Sequence, residues 1–262
     1  MKRKLLIPFV LPALCCILFF NACIKYPPIT PDNNVPNDRL LKTWQLTSNE
    51  IPTNTYQFYY NNKKLVDSIV LSQGINFFTY RVHRKHNGQI DSVVATEYLN
   101  KGSGHVYFVA RNYQYSNGLI THYDYHVYDN FGNHDVMLFD ISHEQQKMTI
   151  RYNTIAHEFT FNDKQDVVRM RDNGDRPFNG TFSYNTGINP LFYARDLYAI
   201  ITDLATYNYE YLLSKHNTVK KNYNDGYSVN YTHIYDDKGR LTRSDFKDVR
   251  HFGTQSFSYT YY

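Results

Sequence analysis

Cysteine is nearly absent from this 262-residue chain, and its positions limit what can hold the fold together: the three are Cys15, Cys16 and Cys23. Nothing beyond residue 23 can form a disulfide, so a hydrophobic core has to carry the fold. Proline is scarce after residue 38, where only Pro52, Pro177 and Pro190 occur. Long stretches are therefore free to pair their backbone N–H groups in sheet ladders. An excess of one charge is also missing. Without Lys2, Arg3 and Lys4, the 28 basic residues fall to 25 against 24 acidic ones, which leaves no electrostatic footprint for nucleic acid.

The signatures of catalysis are missing as well. Gly102-Ser103-Gly104 lacks the spacing of a nucleophile elbow, and no Gly-rich phosphate loop or nucleophilic cysteine is present. His143-Glu144 and His157-Glu158 open like a zinc-protease motif, which needs a second histidine one helical turn on. Lys147 and Phe161 stand there instead. These absences predict a protein that is not an enzyme and uses no cofactor and no metal.

What is present begins at the N-terminus. Basic Lys2-Arg3-Lys4 precedes an apolar run from Leu5 to Phe20, and Phe20-Asn21-Ala22-Cys23 reads as a lipobox. The run is short for a span of about 20 apolar residues and is broken by Pro8 and Pro12. Residues 1–22 are thus expected to be a lipoprotein signal peptide and Cys23 the lipidated residue. Residues 23–38, with Pro27, Pro28, Pro31 and Pro36, follow as a semi-stiff tether. Residues 39–262 are of single-domain length. This places the protein in a cell envelope, lipid-anchored at the outer membrane, with the periplasmic or surface face left open.

Tyrosine and phenylalanine supply 26 and 17 residues, and many alternate with polar ones. Phe78, Tyr80 and Val82 share one face and Thr79, Arg81 and His83 the other, while Phe257, Tyr259 and Tyr261 alternate with Ser256, Ser258 and Thr260. Period two with aromatic enrichment predicts antiparallel strands. Tyr56–Ile69 and Tyr80–Val93 align without gaps, each with a turn, an apolar residue, Asp-Ser and another apolar residue. The turn-then-apolar pattern recurs at Asn117-Gly118-Leu119, at Asp163 to Val167 and at Asp237-Lys238-Gly239-Arg240-Leu241. Asn and Gly supply the positive φ of tight hairpins. The expected fold is all-β, a strongly curved or barrel-like antiparallel sheet of sequential hairpins. One segment departs from this: Asn189-Pro190 reads as an N-cap and first helical residue. Leu191, Ala194, Leu197, Tyr198, Ile201 and Leu204 then predict one amphipathic helix over 190–205, lying on the inner face of the sheet.

The Tyr-rich hairpins with Asn-Gly or Asp-Lys-Gly turns resemble Tyr-Asp (RHS-type) repeats. The Asn189-Pro190-Leu191 start, followed by Leu213-Ser214-Lys215-His216-Asn217 before the last strands, resembles a family of bacterial envelope lipoproteins described as having a porin-like fold. That resemblance implies a curved or barrel-like antiparallel sheet and no particular activity.

His122, Asp124 and His126 share a strand face and could offer ligands, but residues two apart on a strand sit about 6–7 Å apart. They read as a polar, solvated face. Ser68 in Asp67-Ser68-Ile69 and Ser92 in Asp91-Ser92-Val93 match an Asp-Ser/Thr-apolar O-glycan acceptor pattern. The function expected is a non-catalytic binding module for a glycan or an envelope protein. The alternatives are a structural or assembly component, or a hydrolase with a cleft between helix and sheet. A Tyr-lined groove would favour a glycan and an apolar patch a protein partner.

Overall fold

The computed structural model describes residues 35–49, 52–99, 102, 104–129, 131–174, 178–200, 210–250 and 253–262. The signal segment, Cys23 and the tether up to residue 34 lie outside the described residues. Val35, the first described residue, is buried, and its carbonyl accepts a bond from Lys64 Nζ at 2.7 Å.

Sixteen strands follow: β1 Leu41–Ser48, β2 Asn54–Tyr60, β3 Val66–Gln73, β4 Asn76–Arg84, β5 Ile90–Tyr98, β6 His105–Ser116, β7 Leu119–Tyr128 and β8 His134–Glu144. The second half comprises β9 Lys147–Tyr152, β10 Ile155–Phe161, β11 Val167–Asp172, β12 Asn179–Ile188, β13 His216–Tyr223, β14 Ser228–Tyr235, β15 Leu241–Asp248 and β16 Gly253–Tyr261. Each pairs antiparallel with its chain neighbours, and β1 pairs with β16 to close a barrel.

Three of the turns repeated in the sequence share one local structure, whereas Asn117-Gly118 is a tight two-residue hairpin with both φ values positive. Asn61, Asn162 and Asp236 each accept two backbone N–H bonds on a side-chain oxygen, from residues two and four further on. The fourth residue of each turn is left-handed: Lys64 (φ 60°), Gln165 (φ 72°) and Gly239 (φ 70°). The side-chain oxygens hold the turn closed, so two of the three turns tolerate a residue other than glycine at that position.

Each of these turns leads into a β-bulge. The register shifts in this way where β16 meets β1, β2 meets β3, β4 meets β5, β6 meets β7, β10 meets β11, β12 meets β13 and β14 meets β15, apart from a further shift within the β5–β6 pair at Ala95/Thr96. A bulge leaves one residue unpaired in the ladder, and here a side chain on the next strand bonds the carbonyl beside it. Tyr60 donates to Leu41, Arg84 to Val66, Tyr115 to Ile90 and His143 to Ile120. Tyr184 donates to Val167, His233 to Thr218 and Tyr261 to Leu241. The bulges increase local twist and help the sheet close. This ring of bonds satisfies carbonyls that would otherwise cost about 1–3 kcal/mol each.

The interior explains the aromatic content. A barrel of about 16 strands is wide enough to leave an aqueous channel unless something fills it. Here rings run around the wall: Tyr80, Phe108, Tyr125, Phe139 and Tyr152 touch in succession, as do Tyr231, Phe246, Phe257, Trp44 and Tyr56. Ala95 on β5 leaves the room in which Tyr80 and Phe108 meet. The described residues of the segment between β12 and β13 pack against these rings. Leu191, Leu197, Ile200 and Leu212 are wholly buried in the same core cluster as the strands, which fixes that cluster as the lumen. The opposite, outward face carries exposed Arg81, His83, Arg111, Glu158, Arg169 and Arg243.

The expected amphipathic helix over 190–205 takes a different form. Asn189 does cap it, accepting from Leu191 N at 3.0 Å, but Pro190–Ala199 is a 3₁₀ segment broken at Ala194 (φ −118°, ψ 45°). Positions 201–205 lie outside the described residues. Enclosure by the wall supplies partners on several sides, so Asp196 is buried along with Leu197 and Tyr198 and no single apolar stripe is left. Asn189 Nδ2 also donates to the Ser214 and Tyr211 carbonyls, joining the start of the segment to its end.

Candidate functional site

Most of the described tyrosines face inward, which leaves the outer wall as the accessible polar surface. The His122 strand is its most elaborate polar region. His122 Nδ1 lies 2.8 Å from Asp140 and Nε2 2.9 Å from Asp124, so both ring nitrogens are engaged. Asn112 donates to the other oxygen of Asp124. His126, only 5 % exposed, bonds His134 at 2.7 Å and receives Arg111 Nε at 3.1 Å. The expected solvated face is therefore a linked network, because the β6–β7 bulge and the neighbouring strand β8 bring Arg111, His134 and Asp140 over it. Among the described residues no group of three or more His, Cys, Asp or Glu could hold a metal.

The two histidines respond oppositely to pH. The Asp140 hydrogen bond, above all, raises the His122 pKa, while burial, with the Arg111 and His134 charges, lowers that of His126. The raised His122 stabilises the fold fully below its ordinary value near 6.5, and that contribution is lost as pH rises through the raised value. The lowered His126 acts in the other sense, its stabilisation fading as pH falls below about 6.5. Histidine NMR titration should place the two on opposite sides of 6.5, with Asp140→Asn bringing His122 down. A His122 titrating at or below His126 rules this network out.

The other nominated residues are dispersed. His143 Nε2 holds the Ile120 carbonyl, and buried His157 lies 3.4 Å from Asp172, so neither belongs to a protease-like pair. Ser68 and Ser92 occupy matching half-buried positions on β3 and β5, just after the bulges, opposite Tyr59 and His83. The two described carboxylates of the interior segment each meet a cation: Asp196 lies 2.6 Å from Arg84 and Glu210 3.3 Å from Lys221.

One feature of the wall has no local signal in the sequence. β8 outruns its neighbour β9: Phe139 pairs with Tyr152, while residues 134–138 pair only with β7. Their other backbone edge meets no strand among the described residues. Val136 and Leu138 point outward there, 45 % and 52 % exposed, and Phe131 in the adjoining turn is 91 % exposed. Alternation along β8 is visible in the sequence, but the early end of β9 depends on where its partner begins.

No protein-family model and no curated protein matches this sequence. Among solved structures the chain is similar to a porin-like protein from Bacteroides uniformis, at 15 % identity and a TM-score of 0.56, over 85 % of this chain and 98 % of that one. A second porin-like protein, from Bacteroides vulgatus, matches over the same shares at 11 % identity and a TM-score of 0.37. At such identity the first likeness speaks to fold alone: this chain has the closed antiparallel barrel of a porin-like protein.

Proposed function

We propose that this protein is a non-catalytic barrel of the cell envelope, lipid-anchored through Cys23, that binds a protein partner at the open edge of β8. The observation that carries the reading is the unpaired backbone of residues 134–138 beside exposed Val136, Leu138 and Phe131. Unpaired strand edges are templates for an added strand, and proteins usually blunt or cover them. An apolar edge left open in this way marks a contact surface. The recurrent turn-and-bulge unit supports kinship with Tyr-Asp hairpin repeats, and the lipobox supports a lipoprotein.

In this reading the barrel stands in water and not in the bilayer. A lipid-facing barrel needs an outward apolar band about 25 Å tall, and each Arg or Lys at its midplane costs about 2–4 kcal/mol. Arg81, Arg111, Arg169, Arg171 and Arg243 all face outward, and aromatic rings fill the lumen that porins keep polar. The apolar and polar faces are thus exchanged relative to a membrane pore.

The test uses the intact lipidated protein in its own envelope, with a photo-crosslinking residue at position 138 and, as control, at outward Thr232. A discrete polypeptide adduct at 138 alone is expected, abolished by Val136→Lys. Cys23→Ser should remove palmitate labelling and retention in the membrane fraction. Adducts of equal yield at both positions, or none at 138, would count against the β8 edge.

A further inference from the structure

The outer wall carries a second feature, independent of the β8 edge. A cleft of about 290 Å³ lies over β9–β11, near the lower end of the ~300–1,000 Å³ typical of small-ligand sites. Its shape follows from strand register. The outward residues of β10 are Ala156, Glu158 and Thr160, mostly short. Across from them stand long cations: Arg151 beside Ala156, Arg171 beside Glu158, and Lys147 and Arg169 on either side of Thr160. Two walls of cationic side chains thus flank a low middle strand, and Glu144 closes the rim.

What distinguishes this cleft is four cations gathered around one low strand. Elsewhere Arg84, Lys221, Arg240, Arg243 and Arg250 each lie against a carboxylate, while Arg81, Arg111 and Lys247 are scattered singly over the wall. Among the described residues, Lys147, Arg151, Arg169 and Arg171 have no ion pair, although Glu158 sits directly across from Arg171 in the ladder. Four cations facing two carboxylates leave a net positive cleft whose like charges repel, a repulsion that a bound anion would relieve.

We propose that this cleft binds an acidic carbohydrate, a sugar chain bearing carboxylates of the uronate type. Guanidinium groups bond carboxylates through paired N–H donors, which suits Arg169 and Arg171. Glu144 and Glu158 accept bonds from donors and offer none when ionised, so they match sugar hydroxyls and disfavour a dense polyanion. The threonine hydroxyls of Thr149 and Thr160 on the floor can both donate and accept. No outward aromatic ring lines the cleft, and single-stranded nucleic acid relies on such rings for base stacking.

Calorimetry on the intact protein at low salt tests this with tetragalacturonate as the probe and maltotetraose, pyrophosphate and a short oligodeoxynucleotide as comparisons. Tetragalacturonate should bind and maltotetraose should not. Arg169→Ala and Arg171→Ala should each weaken binding about 10- to 100-fold, the range for charge-assisted bonds. Arg171→Lys should recover only part of the loss, since lysine keeps the charge without the fork, and Lys247→Ala on β15 should have no effect. Absence of tetragalacturonate binding, equal binding of maltotetraose, or tighter binding of pyrophosphate or the oligonucleotide overturns the proposal.

Discussion

Leu197→Asp is expected to lower the stability of the barrel by more than about 4 kcal/mol, or to prevent folding altogether. Removing a fully buried leucine side chain costs about 2–5 kcal/mol through lost burial and the cavity left behind, and Leu197 has no exposed surface. An aspartate in its place adds the cost of a charge in an apolar lumen without a partner. The nearest engineered comparison is Leu138→Asp, on an outward residue 52 % exposed, where changes usually stay within about 0.5 kcal/mol. Denaturant midpoints of the two variants decide the matter. Similar losses at both positions would mean that the segment between β12 and β13 does not fill the lumen.

The second large effect is expected at Arg84, which ties that segment to the wall. Its guanidinium donates to Asp196 at 2.6 Å, to the Val66 carbonyl at 2.9 Å and to the Gly88 carbonyl at 3.0 Å, and its side chain is 7 % exposed. Arg84→Met leaves the Asp196 carboxylate, itself 8 % exposed, buried without its cation. Breaking a buried pair on one side costs about 3–5 kcal/mol, and the Val66 carbonyl also loses its donor. Replacing both partners by apolar residues of similar volume is often neutral. The double variant Arg84→Met/Asp196→Leu should therefore regain much of what Arg84→Met loses, a coupling that a double-mutant cycle reads directly. A double variant as unstable as the single one would place the effect in the carbonyl bonds and not in the ion pair.

The strands and their turns were legible in the sequence because their causes are local. Alternation of Tyr80 and Val82 with Arg81 and His83 sets two faces whatever the neighbours do, and the Asn162 and Asp236 turns close on their own side-chain oxygens. The cap at Asn189 was legible for the same reason. The conformation after it was not: isolated spacing favours a regular helix, whereas the enclosing wall broke it at Ala194 and buried Asp196 against a strand residue 112 positions earlier.

Other features rest on partners distant in the chain. Alternation alone leaves a sheet free to stay open, and closure came from β1 meeting β16, with Leu41 beside Tyr261. Once closed, the aromatic face had to be the lumen, since only there can rings from all around the wall pack together with the inserted segment. The β6–β7 bulge puts Ile120 in the interior although it stands two residues before outward His122, and the neighbouring strand covers His126. The open edge at 134–138 and the cationic walls around Glu158 arise from strand register, which depends on pairing across the sheet and not on any one strand's own residues.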